Sequence, residues 1–451
     1  MTEAIHAGTK RPPGVRIVLD ARPIQEPSRA PVTATYLEGL LAAFDADPLP
    51  GESFALLLGS DEEDPTGRFA RLEIVGRRLL PPTRLLRSVA LTIDPFVLRG
   101  ASLGAAWRAE AGGAAGAVYH TAGGALPAMP GLPVVATLLD LAPWELPGPF
   151  QRRATTRLGQ QLRARMLRDA AAVIVGTEAV AAAARRLLRI RRERIHVIAL
   201  APRAPFARDP ATAGPVGSPP GPVTRTERER LGLPQHYLVY TGRFDVRHDP
   251  ATLLAALGEL AADGRPGDLP ADIPWPPRLL IVGATPEDRA SLARAAARAD
   301  VTDCLFYAPR LDPTRLAALV RGARAAILPA ISESAGLAAI EALACGTPVV
   351  ASAVGAIPEL VGAAGILVEP RDPARLAAAL AAAWSDDTLH ARLVAEARSR
   401  ALRERRSWAD VANETREVYA AVGTSAPGRS TTPVTGGGGT AATAPGSRRP
   451  A

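Results

Sequence analysis

The chain has 451 residues, 47% hydrophobic and 22% charged, which suits two or three globular domains and excludes a disordered or fibrous class. Two cysteines, Cys304 and Cys345, exclude a disulfide framework or a cysteine metal cage, and no apolar run reaches the roughly 18 residues of a membrane span. The net charge is +8, yet Lys10 is the only lysine and arginines interleave with acids, so the charge reads as solvated helix faces and predicts no nucleic-acid partner. A basic face resting on anionic lipid headgroups is compatible with the same charge. The N-terminal residues lack the apolar core of a secretory signal, so the expected location is the cytoplasm, with any membrane contact peripheral at the inner face.

Taken in order, residues 1–13 read as a flexible leader. Gly14–Asp20 is a short buried strand, followed by a loop through Pro31 and a helix over Ala34–Phe44. Further strands are expected at Phe54–Leu58, Arg71–Val75, Ala117–His120, Val134–Asp140, Ala172–Glu178 and Ile195–Ala199. Helices are expected over Leu85–Arg108 and, with a basic amphipathic pattern, Phe150–Asp169. His120 stands at the end of one strand and Asp140 at the end of another, which makes both candidates for a cleft or acceptor site. A hydrogen-bonded structural histidine explains His120 equally well. The first domain is thus 14–205, and a Pro/Gly/Ala-rich stretch without periodicity makes 206–228 a linker.

The alternation restarts in a second domain, 229–407. Tyr237–Thr241 is a strand, and Gly242-Arg243-Phe-Asp-Val-Arg247-His248 is a loop before a helix from Thr252. Leu279–Val282 ends at Gly283, Leu305–Tyr307 is the next strand, and Leu311–Arg321 is a helix. Ile327-Leu328-Pro329 is a strand, Ser332–Gly336 a small-residue loop, Leu337–Ala344 a helix of good helix formers, and Val349–Ser352 a strand. Glu333 precedes the positive end of that helix, where free N–H groups can hold phosphate oxygens, and Glu341 lies one to two turns inside it, placed to accept from a diol. A terminal helix covers 408–422, and the Gly/Ser/Thr/Pro-rich residues 423–451 are expected to be disordered.

The whole string from Ser332, S-E-x-x-G-L-x-x-x-E-A-x-A-C-G-x-P-V-V-x-S-x-x-G-x-x-P-E, resembles the donor-site signature of the GT-B glycosyltransferases of family 4. The resemblance is tight over 235–422 and looser over 14–205. It implies two Rossmann-like α/β domains facing each other across a cleft, with the terminal helix crossing back to the first. It also implies retaining transfer of a sugar from a nucleotide-diphosphate sugar to a glycan or lipid-linked acceptor, with no metal and no cofactor beyond the donor. On that resemblance Glu341 binds the ribose diol and Glu333 touches the transferred sugar. Gly242, Gly336, Leu337, Gly283 and Arg247 belong to the donor site. Arg243 and His248 occupy the Arg and Lys positions that meet the diphosphate.

Several positions depart from the family pattern. Residues 28–36 hold no glycine, Leu139 stands where many relatives have histidine, His248 replaces the lysine, and Ser334 and Ala335 replace Gly and Phe. They leave open a second reading: a GT-B protein that binds a nucleotide or a partner without catalysis.

Overall fold

The structure is a computed structural model that describes residues 14–82, 90, 92–99, 116–207, 232–267 and 269–423. The expected leader, most of the Leu85–Arg108 helix, most of the linker and the tail beyond Gly423 lie outside the described residues.

Two parallel sheets organise the chain. The first contains β1 (Arg16–Asp20), β2 (Ser53–Gly59), β3 (Ile74–Leu80), β4 (Ala117–Ala122), β5 (Val134–Thr137), β6 (Ala172–Val175) and β7 (Ile195–Val197), in the order β3-β2-β1-β4-β5-β6-β7. The second contains β8 (Leu238–Tyr240), β9 (Leu279–Val282), β10 (Leu305–Ala308), β11 (Ala325–Leu328), β12 (Val349–Ser352) and β13 (Gly365–Val368), in the order β10-β9-β8-β11-β12-β13. Central strands such as β5, β6, β9 and β12 are buried at every position. This is why their sequences are continuous apolar runs and not alternating ones: helices cover both faces. In each sheet the strand order reverses once, between β1 and β4 and between β8 and β11, and such switch points open crevices at the C-terminal strand ends.

Helix starts are set locally. Proline occupies the first turn at Pro31, Pro250, Pro286, Pro313 and Pro373, where its missing N–H costs nothing. Aspartate side chains cap the amides at Asp249, Asp312 and Asp372. The first of these prolines explains one difference from expectation. The helix begins at Pro31, three residues before the expected start at Ala34, and runs to Ala46. The edge strand β3 also lies later than expected, at Ile74–Leu80. As an edge strand it exposes Arg77 and Arg78, so its pattern lacks the apolar run that marks the interior strands. The basic helix is split, with a short turn at Pro147–Phe150 and the helix proper at Ala154–Asp169.

The helix Trp408–Gly423 returns to the first domain and lies against the Pro31–Ala46 helix and β4. Gly39 makes this possible: a Cβ there would sit 2.3 Å from the Trp408 indole. Beneath the helix Arg416 forms a fully buried bidentate pair with Glu52 at 2.8 and 2.7 Å and bonds the Asp47 carbonyl. At the domain junction, Phe206 falls at the start of the expected linker. It is instead buried in the second domain's core beside Tyr237 and Leu343.

Candidate donor and acceptor cleft

A cavity of about 310 Å³ lies between the two sheets. Its walls come from the segments that follow the strand ends of both domains: the start of the Pro31–Ala46 helix, Leu139–Asp140 after β5, Thr241–His248 after β8, and Leu328–Glu333 after β11. Volumes in this range suit a small-molecule site.

Gly336 sits in the left-handed region (φ 63°) as the N-cap of the Leu337–Ala344 helix, a backbone state that glycine adopts without strain. The Glu333 carboxylate turns back and accepts from the N–H groups of Ala335 (3.1 Å) and Gly336 (2.9 Å). The amides of the first helical turn lie beyond it, and Leu337 and Ala338 line the cavity. Intrahelical bonding begins only with Ile340, which donates to the Gly336 carbonyl. Glu341 also lines the cavity and is 6% exposed. It is held by a residue that no sequence pattern marked: Arg203 donates from Nε and Nη2 to its two oxygens at 2.5 and 2.9 Å, and the guanidinium stacks over Phe206. Each carboxylate oxygen keeps a second lone pair for a diol.

The loop after β8 is organised by Asp245. It accepts from the His248 ring Nδ1 at 2.8 Å and lies near Arg247 and Arg243 at 3.5 and 3.8 Å. Burial would raise its pKa, but the bond to His248 and the charges of His248, Arg247 and Arg243 win and hold the carboxyl well below the usual range. Because an ionised carboxylate only accepts, His248 carries a proton on Nδ1. Arg243 lines the cavity and donates to the Arg29 carbonyl across the cleft at 3.1 Å. Arg247 bridges the domains through Asp140 at 2.8 Å. Its pKa rises because Asp140, Asp245 and Glu333 outweigh the lowering effect of burial.

Leu139 and the loop Ser332–Ala335, which holds two of the departures, have partners in the other domain. Ser334 Oγ accepts from the Leu141 N–H at 2.9 Å, and Ser332 donates to Glu145. Leu139 and Ala335, from different domains, join one apolar cluster. Glu359 reaches from the second domain to the first two amides of the Glu178–Leu188 helix, at 3.1 and 2.9 Å.

The cleft therefore brings together Glu333, Glu341, Leu337, Gly242, Arg243, Arg247, His248 and Asp140. Gly283 ends β9 at φ 79° with its N–H on the Ala308 carbonyl, apart from the cavity wall. His120 requires a correction. It is fully buried and is not part of the cavity wall, and its ring lies between Tyr419 and Thr137. Thr137 donates onward to Tyr36, so Thr137 accepts from Nε2–H and Nδ1 accepts from the Tyr419 hydroxyl at 2.5 Å. Burial drops the His120 pKa to about 3, and the ring is a neutral link between the terminal helix and β4.

The family described as "Glycosyl transferases group 1" matches residues 235–386. The D-inositol 3-phosphate glycosyltransferase of Streptomyces scabiei (strain 87.22) is 38% identical over 205 residues, 43% of this chain and 44% of that protein. The chain thus spans less than half the length of such curated relatives. Among solved structures, sucrose-phosphate synthase from Thermosynechococcus elongatus superposes with a TM-score of 0.64 at 21% identity, covering 91% of this chain and 100% of the other. Anabaena Alr3699/HepE in complex with UDP and glucose superposes with a TM-score of 0.63 at 15% identity, covering 90% and 99%. The architecture is the GT-B fold, two Rossmann-like domains with a cleft between them. Within that fold, residues 235–386 are similar to the group 1 glycosyltransferases.

Proposed function

We propose that the protein is a retaining glycosyltransferase that moves a sugar from a nucleotide-diphosphate sugar to a glycan or lipid-linked acceptor, without a metal or other cofactor. The observation that carries this reading is the convergence, in one cavity, of Glu341, Glu333, the open amides at Leu337 and Ala338, and the cations Arg243 and Arg247. Glu341 accepts from the ribose diol. The helix N-terminus and Arg243 meet the diphosphate, whose charge grows as the glycosidic bond breaks. As an imidazolium, His248 would keep Nδ1–H on Asp245 and donate Nε2–H to the same diphosphate, and Glu333 orients the sugar. The leaving phosphate oxygen takes the acceptor's proton, so no separate base is needed. The UDP bound in Anabaena HepE makes uridine conjugates the first donors to test.

The test is a thermal shift of the protein against UDP, GDP, ADP and their sugar conjugates. A ligand at about a hundred times its dissociation constant adds roughly 2.7 kcal/mol of stability. One nucleotide should raise the midpoint, and Glu341→Ala should remove the shift. Glu333→Ala should keep the shift and cut turnover. No shift from any nucleotide would sink the donor-site reading.

A further inference from the structure

Arg243 and Arg247, the arginines of the loop after β8, are both held from across the cleft. Arg243 donates to the Arg29 carbonyl at 3.1 Å, and Arg247 Nη1 lies 2.8 Å from an oxygen of Asp140. Asp140 is the nearest anion to Arg247. Asp245 is 3.5 Å from its Nη2 and also receives the His248 ring, and Glu333 acts on it by charge alone. The Arg247 Nε–H is buried with no hydrogen-bond partner. Arg247 and Asp140 share the cavity wall with Arg243, Leu337 and Ala338, the groups assigned above to the diphosphate.

The pair is able to open. Its side chains are 18% and 37% exposed, whereas those of Arg416 and Glu52 are 4% and 2% exposed and sealed in the fold. A half-exposed pair is held weakly, because water competes for both partners. Asp140 also has other donors to keep it in place. Its second oxygen accepts from the Ala142 N–H at 2.9 Å, and the buried Arg163 guanidinium acts on the same carboxylate by charge. Arg163 is itself fixed, by the Gly123 carbonyl at 2.8 Å and the face of Trp144.

Resting on the glycosyltransferase reading, we propose that Asp140 stands in for the donor's diphosphate: its carboxylate holds Arg247 until a nucleotide arrives and then yields the guanidinium to the phosphate oxygens. A diphosphate can meet an arginine through two parallel bonds and carries more charge than one carboxylate, so it wins the exchange. Between turnovers the carboxylate spares Arg247 from being a partly buried, unpaired charge. After the sugar has left, Asp140 competes again for Arg247 and loosens the nucleotide product. Asp140 thus sets how tightly the cleft holds a nucleoside diphosphate.

The experiment is a calorimetric titration of the full chain with whichever of UDP, GDP and ADP gives the largest thermal shift. Asp140→Asn keeps the shape of the side chain and its acceptor for Ala142 while removing the charge. It should bind the nucleotide about threefold tighter, the size expected of a half-exposed ion pair. Arg247→Ala should bind it about tenfold weaker. The opposite signs are the signature. If the pair is only a tie between the domains, both variants lose the same tie and affinity moves in one direction for both, which would overturn the inference. An affinity unchanged in Asp140→Asn would overturn it too. Without nucleotide Asp140→Asn should melt below the native chain, and saturating nucleotide should close that gap; a gap that persists at saturation speaks for the tie and against the exchange. Failure of every nucleotide to bind is read separately, in the thermal shift, and would bring down the donor reading with it.

Discussion

His120 is sealed between two hydroxyls at the seam of the terminal helix and the first sheet, whereas His248 rests one ring nitrogen on Asp245 and lines the cavity between the domains. Partners decide the difference. At the seam every partner of the imidazole is neutral and water is excluded, so the charged form is driven off and the ring serves as a strut. At the cleft a carboxylate sets the tautomer and leaves the far nitrogen for a ligand. The same contrast holds for the two buried arginine–glutamate pairs. Arg416–Glu52 ties a helix to a sheet deep in the fold, with side chains 4% and 2% exposed. Arg203–Glu341 joins the domain junction to the cavity wall, with Arg203 28% exposed.

The sharpest way to break the comparison is to remove one partner of each pair. Arg416→Ala leaves Glu52 buried and uncompensated, and a loss of about 3–5 kcal/mol is expected from chemical denaturation. Nucleotide affinity in the fraction that remains folded should be unchanged. A loss below about 1 kcal/mol would mean that the terminal helix is held mainly by its apolar face.

The seam histidine gives the next largest effect, visible through pH. Its folded pKa of about 3 is depressed below the ordinary value, so the unfolded chain takes up the proton first as pH falls. Stability from this group is intact above about pH 6.5 and is lost progressively down to about pH 3. Between pH 7 and 5 the loss is about 2 kcal/mol, before most carboxylates titrate. Comparing denaturation midpoints of the native chain with His120→Gln at both pH values should show a flatter response in the variant. Parallel responses would mean that the burial does not hold the ring neutral.

Arg203→Ala asks whether the cleft pair serves binding and not stability. If the guanidinium fixes the Glu341 carboxylate for the ribose diol, nucleotide affinity should fall by roughly tenfold, about 1.4 kcal/mol. The preference for UDP over 2′-deoxy-UDP should shrink with it, and Arg203→Lys should restore part of both. Tighter UDP binding in the alanine variant would show instead that Arg203 competes with the nucleotide for Glu341.

What was legible beforehand follows from how local each feature is. Gly336, Glu333 and Glu341 lie within one loop and one helix, and their spacing sets their relation before any tertiary contact forms. The interior strands were legible for a similar reason: burial on both faces leaves continuous apolar runs. The Arg203–Glu341 pair spans 138 residues, and nothing near either residue announces the other. His120 was visible as a strand end, but which face of β4 the terminal helix would cover depends on packing 299 residues later in the chain. The departures at Leu139, Ser334 and Ala335 looked like losses along the sequence. Folded, Leu139 and Ala335 share an apolar cluster, and Ser334 bonds the backbone of the other domain.

The smallest expected effect tests the cleft histidine directly. His248 is 15% exposed and keeps its Nδ1 on Asp245, so a lysine there would exchange a ring nitrogen for a longer, permanently charged reach into the same cavity. With Arg243 and Arg247 already present, the added charge should change UDP affinity by no more than about threefold at neutral pH, under 1 kcal/mol. His248→Ala, which removes the side chain, should weaken UDP binding where His248→Lys keeps it. An affinity left unchanged by both His248→Lys and His248→Ala would place the side chain outside the diphosphate's reach and leave that task to Arg243 and the helix N-terminus.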